Sequence, residues 1–134
     1  MRSVSLLLLA STLVGCSTYP PPPRSQSSEA HLQSLLAGKV AGTPVQCMPS
    51  TAKDDMIVID DNTIVFRDGS RRLWRNDLQG TCYGLRMGGA LVTRSGVGTS
   101  SLCRGDVNDV VSSGGMITSS CILGDFVPYT TAGR

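Results

Sequence analysis

The sequence predicts a mainly β fold: a small antiparallel sandwich or partly closed barrel with one short N-terminal helix, stapled by disulfides. Three observations predict it. Short runs rich in β-branched and aliphatic residues recur from Met56 towards the C-terminus, separated by Gly-, Asp- and Asn-rich turn signals. Four cysteines, Cys47, Cys82, Cys103 and Cys121, are spread through the same region. The region is also short, so its apolar core is limited and covalent staples matter to its stability. Short strands between regular turns suit a sandwich or small barrel.

The chain opens with Met1-Arg2-Ser3, a basic start, followed by the apolar segment Leu6 to Val14. This segment is much shorter than the ~20 apolar residues of a spanning helix and has the length of a signal-peptide core. A plain secretion signal would leave Cys16 incidental. Leu13-Val14-Gly15-Cys16, however, resembles the lipobox of bacterial lipoproteins. That resemblance implies cleavage before Cys16, a diacylglyceryl group on its sulfur and an acyl chain such as palmitate on the new amine. Several chains on one cysteine make membrane residence effectively permanent, because each buried methylene adds ~0.8 kcal/mol. Ser17 stands where an aspartate would resemble an inner-membrane retention signal, which favours the outer membrane, facing the periplasm.

Residues 1–15 are thus expected to be a lipoprotein signal peptide and 16–27 a lipid-anchored, Pro-rich linker. Pro20 to Pro23 favour extended polyproline II, a stiff spacer. Residues 28–134 are expected to form one β-rich domain with a short N-terminal helix. In "SSEAHLQSLLAGK", Ser27 or Ser28 can cap the helix, Glu29 suits its positive end, Leu32, Leu35 and Leu36 share a face, and Gly38 stops it.

Beyond the helix the period changes to that of strands. Met56–Ile59 and Thr63–Arg67 flank the turn Asp60-Asp61-Asn62, and Asp68-Gly69-Ser70 leads into Arg71–Asn76, giving a three-stranded meander. "ALVTRS", "DVNDVVSS" and "MITSSCILG" supply further strands between glycine-rich turns.

With Cys16 assigned to lipid, the other four cysteines read as two disulfides in an oxidising compartment. A four-cysteine zinc site is the weaker reading, since no close Cys-x-x-Cys pair is present. The expected pairing is Cys82–Cys103 across neighbouring strands and Cys47–Cys121 across a seam between the first and last strands.

"LLAGKVAGTPVQC", "IDDNTIVFRDG…RLWRNDLQGTCYGL", "SLCRGDV" and "SSCILGDFVPY" resemble a family of small exported proteobacterial proteins, a domain of unknown function. The resemblance runs from Leu35 to Tyr129 and implies an exported, compact domain. It implies no activity.

Net charge is +2, charged residues are 16% and aromatic residues 4%, so neither a nucleic-acid surface nor an acidic partner is indicated. The single histidine, His31, lies in the helix, which leaves no base in the β-region for a Ser–His or Cys–His site. The aspartates, Asp54, Asp55, Asp60, Asp61, Asp68, Asp77, Asp106, Asp109 and Asp125, sit mostly in turn-like contexts. Asp106-x-Asn108-Asp109 has calcium-ligand residue types without the rest of a binding loop. Gly96-Val97-Gly98 lacks the context of a phosphate loop, and Arg104-Gly105-Asp106 reads as a turn.

Arg67, Arg71, Arg72 and Arg75 with Trp74 form a possible binding patch for phosphate or carboxylate groups of the envelope. The plainer reading is a solvated hairpin with Asp68 and Asp77 nearby and Trp74 in the core. The expected function is a non-catalytic, membrane-tethered β-domain that binds an envelope protein or cell-wall component, an inhibitor being one version by analogy of architecture. It carries no catalytic residue, metal or cofactor in this reading, and the sequence sets no oligomeric state. A small carboxylate-dependent envelope hydrolase is the alternative; two aspartates converging in a cleft would favour it.

Overall fold

The computed structural model describes residues 23–52, 55–94 and 101–132. The expected leader, Cys16, Pro20 to Pro22 and Gly96–Gly98 lie outside the described residues.

Helix α1 spans Gln26–Leu36. Its cap is Ser25, not Ser27 or Ser28: the Ser25 hydroxyl accepts from the Ser28 amide at 3.2 Å, and the Ser25 carbonyl accepts from Glu29 at 2.9 Å. Ser28 is instead buried inside the first turn. The helix stops where Gly38 takes φ 70°, a conformation natural to glycine.

The strands are β1 (Lys39–Ala41), β2 (Cys47–Met48), β3 (Met56–Asp60), β4 (Thr63–Asp68), β5 (Arg72–Asp77), β6 (Ala90–Thr93), β7 (Leu102–Cys103), β8 (Val107–Val111), β9 (Ile117–Ile122) and β10 (Phe126–Thr131). The expected meander is β3-β4-β5. Asp60 makes its first turn by accepting the Asn62 amide at 2.8 Å, and Gly69, at φ 62°, makes the second. β10 and β1 extend this meander into a five-stranded antiparallel sheet ordered β1-β10-β5-β4-β3. A second sheet has the order β6-β8-β9, and β2 pairs with β7 alone.

Alternation sorts side chains onto two faces of the larger sheet. Ile64, Phe66, Trp74 and Phe126 pack with Val110 and Cys121 of the smaller sheet, and with Met48, Leu78, Leu85 and Leu123, in a sandwich-like core. Val65 and Leu73 point the other way and bury Leu32 of α1, with Ile59 beside them. The result is helix, sheet and sheet, in that order. The helix is therefore part of the fold, covering a sheet face that would otherwise be exposed. The sheets do not close on themselves, so the arrangement is the sandwich rather than the partly closed barrel.

Two disulfides are present, as expected, but their pairing corrects the sequence reading. Cys47 bonds Cys103 and Cys82 bonds Cys121; neither Cys82–Cys103 nor Cys47–Cys121 forms. First and last strands do become neighbours, β1 against β10, with Lys39 opposite Thr131. Cys121, however, belongs to β9, because the chain breaks at Leu123–Asp125 before the last strand begins. Cys103 lies ahead of the β8 hairpin and faces Cys47 directly across β2–β7.

The break is held by Gly124 and Asn76. The Asn76 side-chain amide donates to the Gly124 carbonyl at 2.8 Å and accepts from the Gly124 amide at 3.0 Å. A Cβ on Gly124 would lie 2.2 Å from the Asp77 carbonyl oxygen, so only glycine fits this approach.

Candidate functional site: a polar cleft at the root of the N-terminal segment

The β3–β4 turn, the end of β5 and the start of α1 meet around a cleft of about 670 Å³. Asp60, Asp61 and Asn62 come from the turn, Thr63 from β4, Arg75 and Asp77 from β5, and Arg24 and Glu29 from the helix entry. β4 and β5 run in register with Thr63 opposite Asp77, which places the two ends together.

Arg24 fills the centre. Its guanidinium donates to Asp60 at 2.7 Å, to Glu29 at 2.8 Å and to the Thr63 hydroxyl at 2.6 Å, with Asp77 3.8 Å away. Thr63 donates onward to Asp77 at 3.0 Å. Arg75 lies across Asp77 in a two-point contact at 3.1 and 2.8 Å. Burial works against the charged Arg24, but its bonds to Glu29 and Asp60 outweigh that and raise its pKa. Glu29 is held below its ordinary range, first by the Gln33 side-chain amide and then by Arg24.

The cleft thus gathers four carboxylates, of which Asp60, Asp77 and Glu29 converge on one cation. That differs from a hydrolase pair, where one carboxyl is held protonated in an apolar setting. Asp61 stands apart: its carboxylate accepts the Arg86 amide at 3.2 Å, and its carbonyl accepts the Cys82 amide at 2.7 Å. It ties the loop after β5 to the cleft wall.

The expected arginine patch does not assemble. Strand alternation divides it: Arg75 shares the helix-side face with Leu73, whereas Arg72 lies beside Trp74 on the opposite face. Arg72 covers the Trp74 ring at 5.6 Å and reaches Asp68 at 3.7 Å. Arg67 pairs with Asp55 at 3.5 Å, and Arg71 is exposed in the turn. Trp74 itself is in the core, its indole N–H donating to Asp68 at 3.3 Å. The plainer reading of this segment describes it.

The remaining singled-out residues are structural. Asp106 accepts the Cys103 amide at 2.7 Å in the turn formed by Arg104-Gly105-Asp106. Asn108 is buried between the Thr93 hydroxyl and the Asp106 carbonyl. Asp109 binds Arg94 and the Ser120 hydroxyl, and both hold its carboxyl below the ordinary range. Asp125 reaches Arg104 at 3.3 Å, and His31 is exposed on α1. Among the described residues no three His, Cys, Asp or Glu side chains gather to hold a metal ion.

Arg24 is the residue that sequence reasoning missed. It sits in a Pro- and Ser-rich stretch without periodicity, and its partners lie 36 and 39 positions away at Asp60 and Thr63. Comparisons of the chain with family models, with curated proteins and with solved structures find no match.

Proposed function

We propose that the protein is a non-catalytic cell-envelope lipoprotein: a β-domain tethered through lipid on Cys16, belonging with the exported proteins it resembles, that binds an envelope protein or cell-wall component. An inhibitor of an envelope enzyme is one specific form of this reading. The observation that carries it is Arg24, which engages Asp60, Asp77 and Glu29 and so occupies the carboxylates that an acid–base mechanism in the cleft would most readily use. Two disulfides support an oxidising compartment. The experiment is a pull-down from envelope extract with the disulfide-intact domain as bait, followed by identification of retained proteins and muropeptides. Specific retention, lost on reduction of the bait, supports the reading; a bait that retains nothing above a reduced control counts against it.

The convergence of Asp60 and Asp77 favours the hydrolase as a second reading. It requires Arg24 to leave the cleft. A folded Asp60→Asn variant that loses a hydrolytic activity present in the parent would establish it instead.

A further inference from the structure

We propose that the loop from Tyr83 to Met87, flanked by the start of β9, is a bilayer-contacting surface that rests in the headgroup region of the membrane to which Cys16 ties the chain. The inference rests on the lipoprotein reading and adds to it which face of the domain meets the lipid.

The first support is where the tether ends. Arg24 is bound by Asp60, Glu29 and Thr63, so the first described residues, Pro23 and Arg24, are fixed at the cleft. From Cys16 to Pro23 the chain can span at most about 25 Å, at ~3.3–3.6 Å per residue. The cleft mouth therefore lies within about 25 Å of the anchored residue whatever path the linker takes.

The second support is what else lies there. Arg86 and Thr81 line the same cleft, and Asp61 bonds the amides of Cys82 and Arg86 to its wall. The loop built on this support exposes large apolar side chains: Met87 is 86% and Tyr83 66% accessible. The Thr118 and Ser119 hydroxyls donate to the Tyr83 carbonyl at 3.0 Å, which brings Met116 and Ile117, also exposed, to the loop's flank. Leu85 alone turns inward, to the core.

The chemistry suits a lipid interface. Tyrosine carries an apolar ring with a polar tip, arginine can extend its charge to phosphate while its stem lies on apolar surface, and methionine is a flexible apolar filler. Such a patch binds a free membrane weakly. Tethering changes that, because an anchored loop meets the surface at millimolar effective concentration. The carboxylates of the cleft offset its arginines, so apolar burial rather than attraction to anionic lipid is the driving term.

The test uses the mature chain starting at Cys16, disulfides intact, coupled through that thiol to a maleimide lipid in phosphatidylethanolamine/phosphatidylglycerol vesicles. The comparison is the same chain with Cys16 capped and free in solution. Methionine oxidation by dilute peroxide is followed by peptide mass spectrometry. Met87 should oxidise several-fold more slowly on vesicles, while Met56, at the far end of β3 from the cleft, should not change. Tyr83→Ser should lose much of the protection. Equal Met87 rates in both forms overturn the inference, as does protection of Met56 to the same degree, which would indicate crowding. Slow Met87 oxidation in the soluble form, together with a doubled mass, would assign the patch to a second copy and also overturn it. The mass of native Cys16 separates the two readings: an unmodified thiol removes both, and a lipidated Cys16 with unprotected Met87 removes this one alone.

Discussion

Opening the two disulfides one at a time should expose their different roles. Cys47–Cys103 closes a separation of 56 residues and Cys82–Cys121 one of 39. In the chain-entropy model each is worth about 4 kcal/mol through its effect on the unfolded chain. The two loops overlap between Cys82 and Cys103, so removing both costs less than the sum. Their surroundings differ more than their loops. Cys82 and Cys121 are buried in the main core, whereas Cys47 is exposed on the two-residue strand β2. Dilute reductant should therefore open Cys47–Cys103 in the folded protein and reach Cys82–Cys121 only through unfolding. The variant Cys47→Ser/Cys103→Ser should lose about 4 kcal/mol, against a typical total of ~5–15 kcal/mol, and still fold. Cys82→Ser/Cys121→Ser should lose more, because two hydroxyls enter an apolar core as well. Timed reduction, trapping with iodoacetamide and peptide mapping follow the order; urea titration read by Trp74 fluorescence gives the energies. Labelling of Cys82 before Cys47 would refute the reasoning, and a Cys82–Cys103 peptide in the oxidised protein would refute the pairing.

Asn76→Ala should cost about 2–5 kcal/mol, because it removes two buried hydrogen bonds and leaves both polar groups of Gly124 unpaired; an unchanged urea midpoint would count against it. Gly124→Ala should cost about 1–3 kcal/mol or more by overpacking against the Asp77 carbonyl, seen as a lower melting temperature. Arg24→Gln should cost about 1–2 kcal/mol, a charged-network loss discounted for partial exposure, and should speed amide exchange in α1 more than in β4. Acid should weaken the fold in a defined window. Glu29 and Asp109 have folded pKa values below their ordinary 4.5 and 3.8, so the stability they contribute is present above those values and is lost as pH falls through the lower folded ones. Asp109→Asn should therefore flatten part of the loss of stability between pH 5 and pH 2, measured by urea titration at each pH.

Much of the fold was legible because it is written locally. Runs rich in β-branched, aliphatic and aromatic residues in "MIVID", "TIVFRD" and "RLWRND", with turn residues between, specify β3, β4 and β5 to within about a residue at each end. The helix was legible from Leu32, Leu35, Leu36 and Gly38, although its cap was misplaced because Ser25, Ser27 and Ser28 are chemically alike. The disulfide pairing was not legible. It depends on whether the chain after Cys121 continues one strand or begins another, and that is decided by Asn76 reaching Gly124 from 48 positions away. The arginine patch failed for a different reason. Alternation on a strand sends Arg72 with Trp74 to one face and Arg75 with Leu73 to the other, a division already readable in the sequence although the expected patch combines both.

The cleft extends the same reasoning from fold to function. Its carboxylates come from a turn, a strand end and a helix start, and two of them have a local reason to be acidic: Asp60 closes the β3–β4 turn and Glu29 faces the helix N-terminus. None of these reasons concerns a ligand. What unites them is a cation from the segment that precedes the helix, and that segment is also the one expected to run to the membrane. A molecule that approaches Asp60 must displace Arg24, and displacing Arg24 frees the start of the helix entry from the cleft wall. Under the proposed tether, occupancy of the cleft and orientation of the domain are coupled through one side chain. In a hydrolase that coupling would oppose substrate entry at every turnover. In a tethered binding domain it opposes nothing, and it holds the remaining surface in a fixed direction.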